Sequence, residues 1–274
     1  MRFKAAGYSD KGHIKETNQD SFLIKVASTS LGDVALVAVA DGMGGLSKGE
    51  LASATVVRSL AQWFDKVLPL SLETIDTSVS GFEQFVGGQW NGLVQEMNLK
   101  IMRHGMYEQM NLGTTLTALL AVGRRYSIVH VGDSRVYELG KERPVQLTED
   151  QTFVKREIDA GNMTLEEAAV HPQRNVLLQC IGSSKEVVPA IIHGQLDTNA
   201  NYLLCSDGFR HVLTEKELWE EFSDAAMETM WQEESCGDYP RARMHLKSLA
   251  KTVIERGERD NLTAVLLHVD EEVL

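Results

Sequence analysis

The chain has 274 residues, of which 43% are hydrophobic and 24% are charged, a composition of folded rather than disordered proteins. Its 27 basic and 39 acidic residues give a net charge of −12, and no run of Lys or Arg is longer than two. Proteins that bind a nucleic-acid backbone usually carry a basic stripe, so we expect no nucleic-acid partner. An acidic balance serves solubility or cation binding, and composition alone favours solubility.

Cysteines and apolar runs indicate where the protein works. Cys180, Cys205 and Cys236 are far apart and have no zinc or redox spacing, as in proteins of a reducing compartment. The longest wholly apolar run has seven residues, 34–40, against the ~20 needed to span a bilayer. The N-terminus has no apolar signal core. We expect a cytoplasmic protein with no membrane partner, and one continuous domain over residues 1–274, because no repeat or linker divides it.

Short apolar segments rich in β-branched residues predict strands, several of them at hairpin spacing. Turns are expected at Gly32-Asp33, Gly123-Arg124 and Gly132-Asp133. A parallel crossover needs about a dozen residues, so strands this close should be antiparallel. In chain order, the predicted strands cover residues 21–26, 34–40, 116–122, 126–131, 136–138, 202–205 and 262–269.

Apolar residues at three- and four-residue steps predict a helix over residues 50–67 and a second over 82–107. Gly87 and Gly88 weaken the second prediction, because glycine is unfavourable inside a helix.

Capping signals predict further helix starts. Residues 164–167 and 214–217 both read Thr-x-x-Glu, the capping-box pattern. Pro240 suits the first turn of a helix that runs to Arg256, with Gly257 as its stop. Groups of strands with helices inserted between them indicate antiparallel sheet covered by helices.

Five aspartates adjoin predicted strands, and three of them are next to a glycine. A charge beside an apolar core is costly unless it is paired, and crowded carboxylates raise one another's pKa. A hard dication such as Mg²⁺ or Mn²⁺, which prefers oxygen ligands, would remove that cost. A lone Asp-Gly pair is more often a turn, and spacing alone does not bring the five together. These residues are Asp20, Asp41, Asp133, Asp207 and Asp260.

A series of motifs in this order resembles the bacterial metal-dependent protein serine/threonine phosphatases of the PPM, or type 2C, family. The resemblance covers about residues 3–269 and implies an α+β fold, a four-layer α/β/β/α sandwich of two antiparallel sheets flanked by helices. It also implies a flap segment near residues 150–182. The motifs are SDKGHIKETNQD, VADGMGG, GTTLTALL, HVGDSRVYEL, LTEDQT, LLCSDGF and RDNLTAVLL.

The resemblance further implies a binuclear Mn²⁺ or Mg²⁺ centre at one end of the sheets. Asp41 would bridge the two ions, and Gly42 would bind through its carbonyl oxygen. Asp207 and Asp260 would hold one ion, and Asp20 would orient a metal-bound water.

Bacterial relatives can also take a third, weaker ion, which Asp133 would bind together with Asp207. The implied reaction is the hydrolysis of phosphoserine and phosphothreonine in proteins by a bridging hydroxide, opposing a serine/threonine kinase. No CxxxxxR phosphate loop follows Cys205, so we expect no covalent phosphoenzyme. Two alternatives stay open: an inactive binding module of the same fold, and a phosphatase of small phosphoesters.

Several positions depart from the family pattern. Lys15 stands where an arginine usually grips the phosphate, so it either holds phosphate without the bidentate fork or is a solvated surface lysine. Met43 replaces the histidine of eukaryotic relatives, which leaves the general acid unassigned. His171 lies in the flap-like segment, where a packing role is favoured. Residues 148–151 read TEDQ instead of TxDH, which bears on specificity. Arg135 is expected to pair with a carboxylate.

Overall fold

Two antiparallel five-stranded sheets form the centre of the molecule. The computed structural model describes residues 1–29, 32–43, 48–72, 79–140, 143–198, 200–222, 229–232 and 237–270. The strands in these ranges are β1 (Arg2–Asp10), β2 (Ser21–Thr29), β3 (Gly32–Ala40), β4 (Gly42–Met43), β5 (Gly113–Thr114), β6 (Leu116–Val122), β7 (Arg125–Val131), β8 (Arg135–Leu139), β9 (Pro144–Gln146), β10 (Ala190–Gln195), β11 (Asn201–Cys205) and β12 (Leu262–Asp270). The helices are α1 (Gly49–Lys66), α2 (Leu68–Leu72), α3 (Val79–Glu108), α4 (Phe153–Asp159), α5 (Leu165–Ala169), α6 (Asp207–Arg210), α7 (Glu215–Glu221) and α8 (Pro240–Glu255).

The layers follow from which residues pack together. One sheet has the strand order β1-β12-β11-β8-β9 and the other β10-β7-β6-β3-β2. Apolar residues from both sheets, such as Leu119 and Leu204, share one buried cluster between them. The outer face of the second sheet packs on α1 and α3, and the outer face of the first packs on α7 and α8. The predicted four-layer α/β/β/α sandwich is therefore confirmed.

Most predicted elements are present with bounds within a few residues. Both capping boxes form, with Thr164 and Thr214 as N-caps. The helix that begins at Pro240 ends just before Gly257, whose φ is +94°. The helix α3 runs through Gly87 and Gly88 without a break. Packing of its buried face against the second sheet outweighs the cost of the two glycines.

The structure differs from the expectation at one loop and at one strand pairing. Gly32 and Asp33 lie in β3, paired with Thr29 and Ser28, because the strands extend past the predicted loop. The strands β7 and β8 do not pair, although only residues 132–134 separate them, because they belong to different sheets. Gly132, with a φ of +112°, allows the chain to cross from one sheet to the other at this point.

Besides the two-residue strands β4 and β5, three strands were not predicted: β1, β9 and β10. Most of their residues are half-buried or exposed, so their sequences show neither a continuous apolar run nor a clear alternation. Among the helices of the described residues, none combines the length and apolar composition that a bilayer crossing requires.

Candidate metal centre

Strand pairing places the five aspartates at one edge of the sandwich, which we call the mouth. Ser21 of β2 pairs with Ala40 of β3, so Asp20 and Asp41 leave the sheet side by side. In the other sheet, Cys205 of β11 pairs with Ala264 of β12, close to Asp207 and Asp260.

Asp133 reaches the mouth through the crossover between the sheets. Its neighbour Arg135 pairs with Cys205, two residues before Asp207. The expectation that acidic side chains from remote parts of the chain meet at one place is therefore confirmed.

Buried negative charge dominates the mouth. Burial raises the pKa of Asp41 well above its ordinary value, and the charges of Asp20, Asp207, Asp133 and Asp260 raise it further. The mutual effect on pKa shows that the carboxyl groups are close enough to repel one another.

The neighbouring carboxyl groups are affected in the same way. Burial raises the pKa of Asp20 to about 7 and also raises the pKa of Asp133 to about 7. Burial and the charge of Asp260 raise the pKa of Asp207. These carboxyl groups are fully ionised at neutral pH only if positive charge lies nearby.

Two threonines fix the backbone of Asp41. The Asp41 N–H donates to Thr115 Oγ1 at 2.9 Å. Its carbonyl oxygen accepts from the Thr115 N–H and from Thr114 Oγ1, both at 2.9 Å. The short ladder between β4 and β5 continues these contacts. The hydroxyl groups of Thr114 and Thr115 therefore hold the Asp41 loop in place.

Only glycine fits at position 42. A Cβ atom there would collide with the carbonyl oxygens of Gln19 and Gly49. The Gly42 N–H donates to Gln19 O at 3.2 Å, which ties the Asp41 loop to the segment that carries Asp20. The last two glycines of VADGMGG, Gly44 and Gly45, lie outside the described residues.

Asn261 is a site residue that the sequence reasoning missed. Its Oδ1 accepts from the Gln19 N–H at 2.9 Å, and its Nδ2 donates to the carbonyl oxygens of Lys11 and Thr17. Its own N–H donates to Asp260 Oδ1 at 2.8 Å. Asn261 thus joins the Asp260 loop to the Asp20 loop, and its position next to Asp260 was the only signal in the sequence.

Ser206 was also missed. It is fully buried, and its hydroxyl donates to Asp20 Oδ2 at 3.0 Å while accepting the Thr263 N–H at 3.0 Å. The other acceptor near the hydroxyl, the Thr263 carbonyl oxygen, is more distant at 3.4 Å, so the hydroxyl proton is directed at Asp20. Ser206 therefore fixes the orientation of the Asp20 carboxylate.

Two arginines surround Asp150 beside the Asp133 crossover. Arg135 binds Asp150 through two bonds of 2.7 and 2.6 Å, which confirms its expected pairing. Arg210 Nη2 donates to the Asp133 carbonyl at 3.1 Å and to Asp150 Oδ2 at 3.4 Å. Gln151 exchanges hydrogen bonds with the backbone of Gly132. The TEDQ segment thus supports the crossover from the side.

Lys15 is at the mouth and not a solvated surface lysine. Its Nζ lies 2.7 Å from Asp260 Oδ1, and both side chains are about two-fifths exposed, at 39% and 41%. The ammonium group therefore neutralises one carboxylate at the open side of the cluster.

The segment at residues 150–182 is anchored at both ends beside the mouth. Near its start, Gln151 bonds to the crossover, and near its end Ile181 exchanges backbone hydrogen bonds with Thr114. His171 within it stacks on Phe153, with ring centroids 5.6 Å apart, and its Nδ1 accepts from the Gln173 N–H. The packing interpretation of His171 is confirmed.

The donor atoms fit hard dications. Asp20 Oδ1 and Asp207 Oδ1 are buried without a hydrogen-bond partner. Buried polar atoms nearly always have a partner, and a bound cation or its water would supply one here. In the part of the chain that the structure describes, no three acidic, His or Cys side chains already surround a single point. Mg²⁺ and Mn²⁺ retain several waters, so one or two carboxylates and a carbonyl for each ion suffice.

Comparison with known proteins agrees with this geometry. The family model described as protein phosphatase 2C matches residues 10–251. The chain is 31% identical to the serine/threonine protein phosphatase PstP of Mycobacterium tuberculosis over 265 residues, 96% of this chain and 44% of PstP. It is 32% identical to the serine/threonine phosphatase stp of Listeria innocua over 215 residues, 77% of this chain and 80% of that protein.

A solved structure of a relative contains metal. The crystal structure of the catalytic domain of PstP in complex with two manganese ions has a TM-score of 0.71 and 29% identity, covering 98% of this chain and 99% of that one. The chain spans less than half the length of the full mycobacterial PstP. From the family match over most of its residues, we conclude that this chain belongs to the protein phosphatase 2C family.

Proposed function

We propose that this chain hydrolyses phosphoserine and phosphothreonine in proteins with the help of two Mn²⁺ or Mg²⁺ ions at the mouth. The observation that carries the proposal is the burial of several carboxyl groups together, two of whose oxygens have no partner. The names of its relatives as serine/threonine phosphatases, and the two manganese ions in the PstP domain, support it.

Ligand roles follow from the placement of each group. Asp41 would bind both ions, because the charges of the other four aspartates all act on it. Gly42 would bind through its carbonyl oxygen, and Asp207 and Asp260 would be further ligands of one of the two ions. When bound, two dications lower the pKa of a shared water toward neutrality and offset the charge of the phosphoryl oxygens.

The chain's own residues position the reactants. Ser206 holds the Asp20 carboxylate so that its free Oδ1 can accept a hydrogen bond from the attacking water. Lys15, at the open side of the mouth, would bind a phosphate oxygen as a point charge. Burial of the carboxylates keeps bulk water away and strengthens these electrostatic contacts.

Attack by water without a phosphoenzyme is supported by the state of the nearest thiol. Cys205 is fully buried, and burial raises its pKa to about 11, so the thiolate needed for nucleophilic attack is absent at neutral pH. Cys180 is a free thiol of the described residues, and Cys236 lies outside them.

We further propose that residues 1–274 work as one catalytic domain in which the segment at 150–182 covers the mouth as a flap. Its two anchors, at Gly132 and Thr114, lie next to residues that carry Asp133 and Asp41. The physiological substrates would be phosphoproteins made by a serine/threonine kinase.

An assay with p-nitrophenyl phosphate tests the proposal. Product release should require Mn²⁺ or Mg²⁺ and stop on addition of a chelator. Equal inactivity of the wild type and Asp41→Asn with every divalent metal would instead favour a binding module. Competition between phosphopeptides and small phosphoesters tests the substrate class, because a preference for small phosphoesters would overturn the protein-substrate part alone.

A further inference from the structure

Arg210 places a fixed positive charge inside the acidic mouth. The single turn of α6 carries Asp207 at its first position and Arg210 at its last. The Arg210 side chain is 14% exposed, and its Nη2 contacts the Asp133 carbonyl at 3.1 Å. The guanidinium group is therefore buried next to the two residues that would bind a third ion, Asp133 and Asp207.

The ion pair with Asp150 does not neutralise the charge of Arg210. Asp150 already makes two short bonds to Arg135, and its contact with Arg210 is longer, at 3.4 Å. Arg210 Nε is buried without a partner. One carboxylate thus faces two arginines, and the surplus positive charge lies on the side of Asp133.

This arrangement does not fit a further dication. An ion bound between Asp133 and Asp207 would be repelled by the Arg210 guanidinium group, which contacts the Asp133 backbone at 3.1 Å.

We propose that Arg210 supplies the positive charge that a third ion would otherwise bring to Asp133 and Asp207, so that this chain binds two ions and not three. The inference rests on the proposed metal centre, and it replaces the expectation of a third ion. The charge of Arg210 acts on both aspartates, as expected from its place on α6 beside the crossover.

Equilibrium dialysis against Mn²⁺, from micromolar to millimolar concentration, tests the inference without any activity measurement. The wild type and Arg210→Lys, which keeps the charge, should each bind two ions per chain. Arg210→Met, which keeps the length and removes the charge, should bind a third at millimolar Mn²⁺. Arg259→Met is the matched control, because Arg259 is an exposed arginine next to Asp260, and it should still bind two.

The outcomes are distinct from those that test the proposed function. Three ions in the wild type would overturn the role of Arg210 and leave the two-metal phosphatase standing. Two ions in a folded Arg210→Met variant would overturn it as well. A wild type that binds none would overturn both proposals. If Arg210→Met does not fold, Arg210→Gln, which also removes the charge, takes its place and should bind a third ion; two ions in that variant would overturn the role of Arg210.

Discussion

The middle and the mouth of the sandwich are built from the same strands, but the middle is apolar and the mouth is lined by carboxyl groups. Between the sheets, Leu119, Leu204 and Val265 are fully buried among other apolar side chains. A few residues further along, the strands end at carboxyl groups that are buried, as in Asp20 and Asp133, or half-buried, as in Asp41. The middle is stabilised by the apolar surface it removes from water, whatever ions are present. The mouth is stabilised only when cations offset its charge, so function there costs stability.

Truncating the middle should have the largest effect on folding. Leu119→Ala removes a fully buried side chain between the sheets and should lower the free energy of unfolding by about 2–5 kcal/mol. Urea titrations with Mn²⁺ and with chelator should show the same loss. If the loss of unfolding free energy differed between Mn²⁺ and chelator, the stabilities of the core and the mouth would be coupled.

Asp41→Asn should impair catalysis at the mouth without disturbing the packing of the core. Phosphatase activity should fall by more than about a hundredfold, since even outer partners of metal ligands change activity by ten to a hundredfold. The metal-free variant should be more stable than the metal-free wild type, because one of several repelling charges is gone. Urea unfolding with chelator measures this, and lower stability of the variant would contradict the account.

Ser206→Ala should reduce activity about tenfold, because Asp20 loses the hydroxyl that orients it. Ser127→Ala is the matched control: Ser127 is equally buried, but it bonds to His193 away from the mouth. Steady-state rates of both variants at saturating Mn²⁺ test the difference. Equal losses would show that any buried serine has this effect.

The stability of the metal-free protein should depend on pH through Asp20. Its folded pKa of about 7 is above the ordinary value of 3.8, so between these values the folded chain keeps a proton that the unfolded chain has lost. Stability must therefore fall as pH rises from about 4 to about 7. The buried histidines contribute equally to the wild type and to Asp20→Asn, so the difference between the two proteins reports Asp20. The free energy of unfolding of the wild type should fall by at least about 1 kcal/mol relative to Asp20→Asn between about pH 4 and about pH 7. A constant difference across this range would contradict the assigned burial.

Lys15 should give the smallest effect. Lys15→Gln should raise KM for a phosphopeptide several-fold with little change in kcat, because a partly exposed point charge contributes about 1 kcal/mol. Lys15→Arg should lower KM, since the guanidinium fork can bind two phosphate oxygens. A loss confined to kcat would mean that Lys15 acts on the reaction and not on binding.

The same comparison explains what the sequence could predict. The middle of the sandwich was largely predictable, because strands such as β3 and β6 consist mostly of apolar residues. The half-buried β1 and β10 lack that pattern and were missed.

At the mouth, motifs identified the carboxylates but not what holds them. Ser206 and Asn261 act through hydrogen bonds to residues 186 and 242 positions away, which no local pattern records. The opposing charge of Arg210 became visible only when α6 was placed beside the crossover at Asp133. Long-range pairing thus decides the chemistry of the site, and local spacing does not reveal it.

An anomalous difference map from a crystal soaked in Mn²⁺ tests the central claim most directly. The account predicts two peaks at the mouth, both within bonding distance of Asp41 and one also beside Asp207 and Asp260. A map without peaks at Asp41, from a crystal that holds manganese elsewhere, would contradict it.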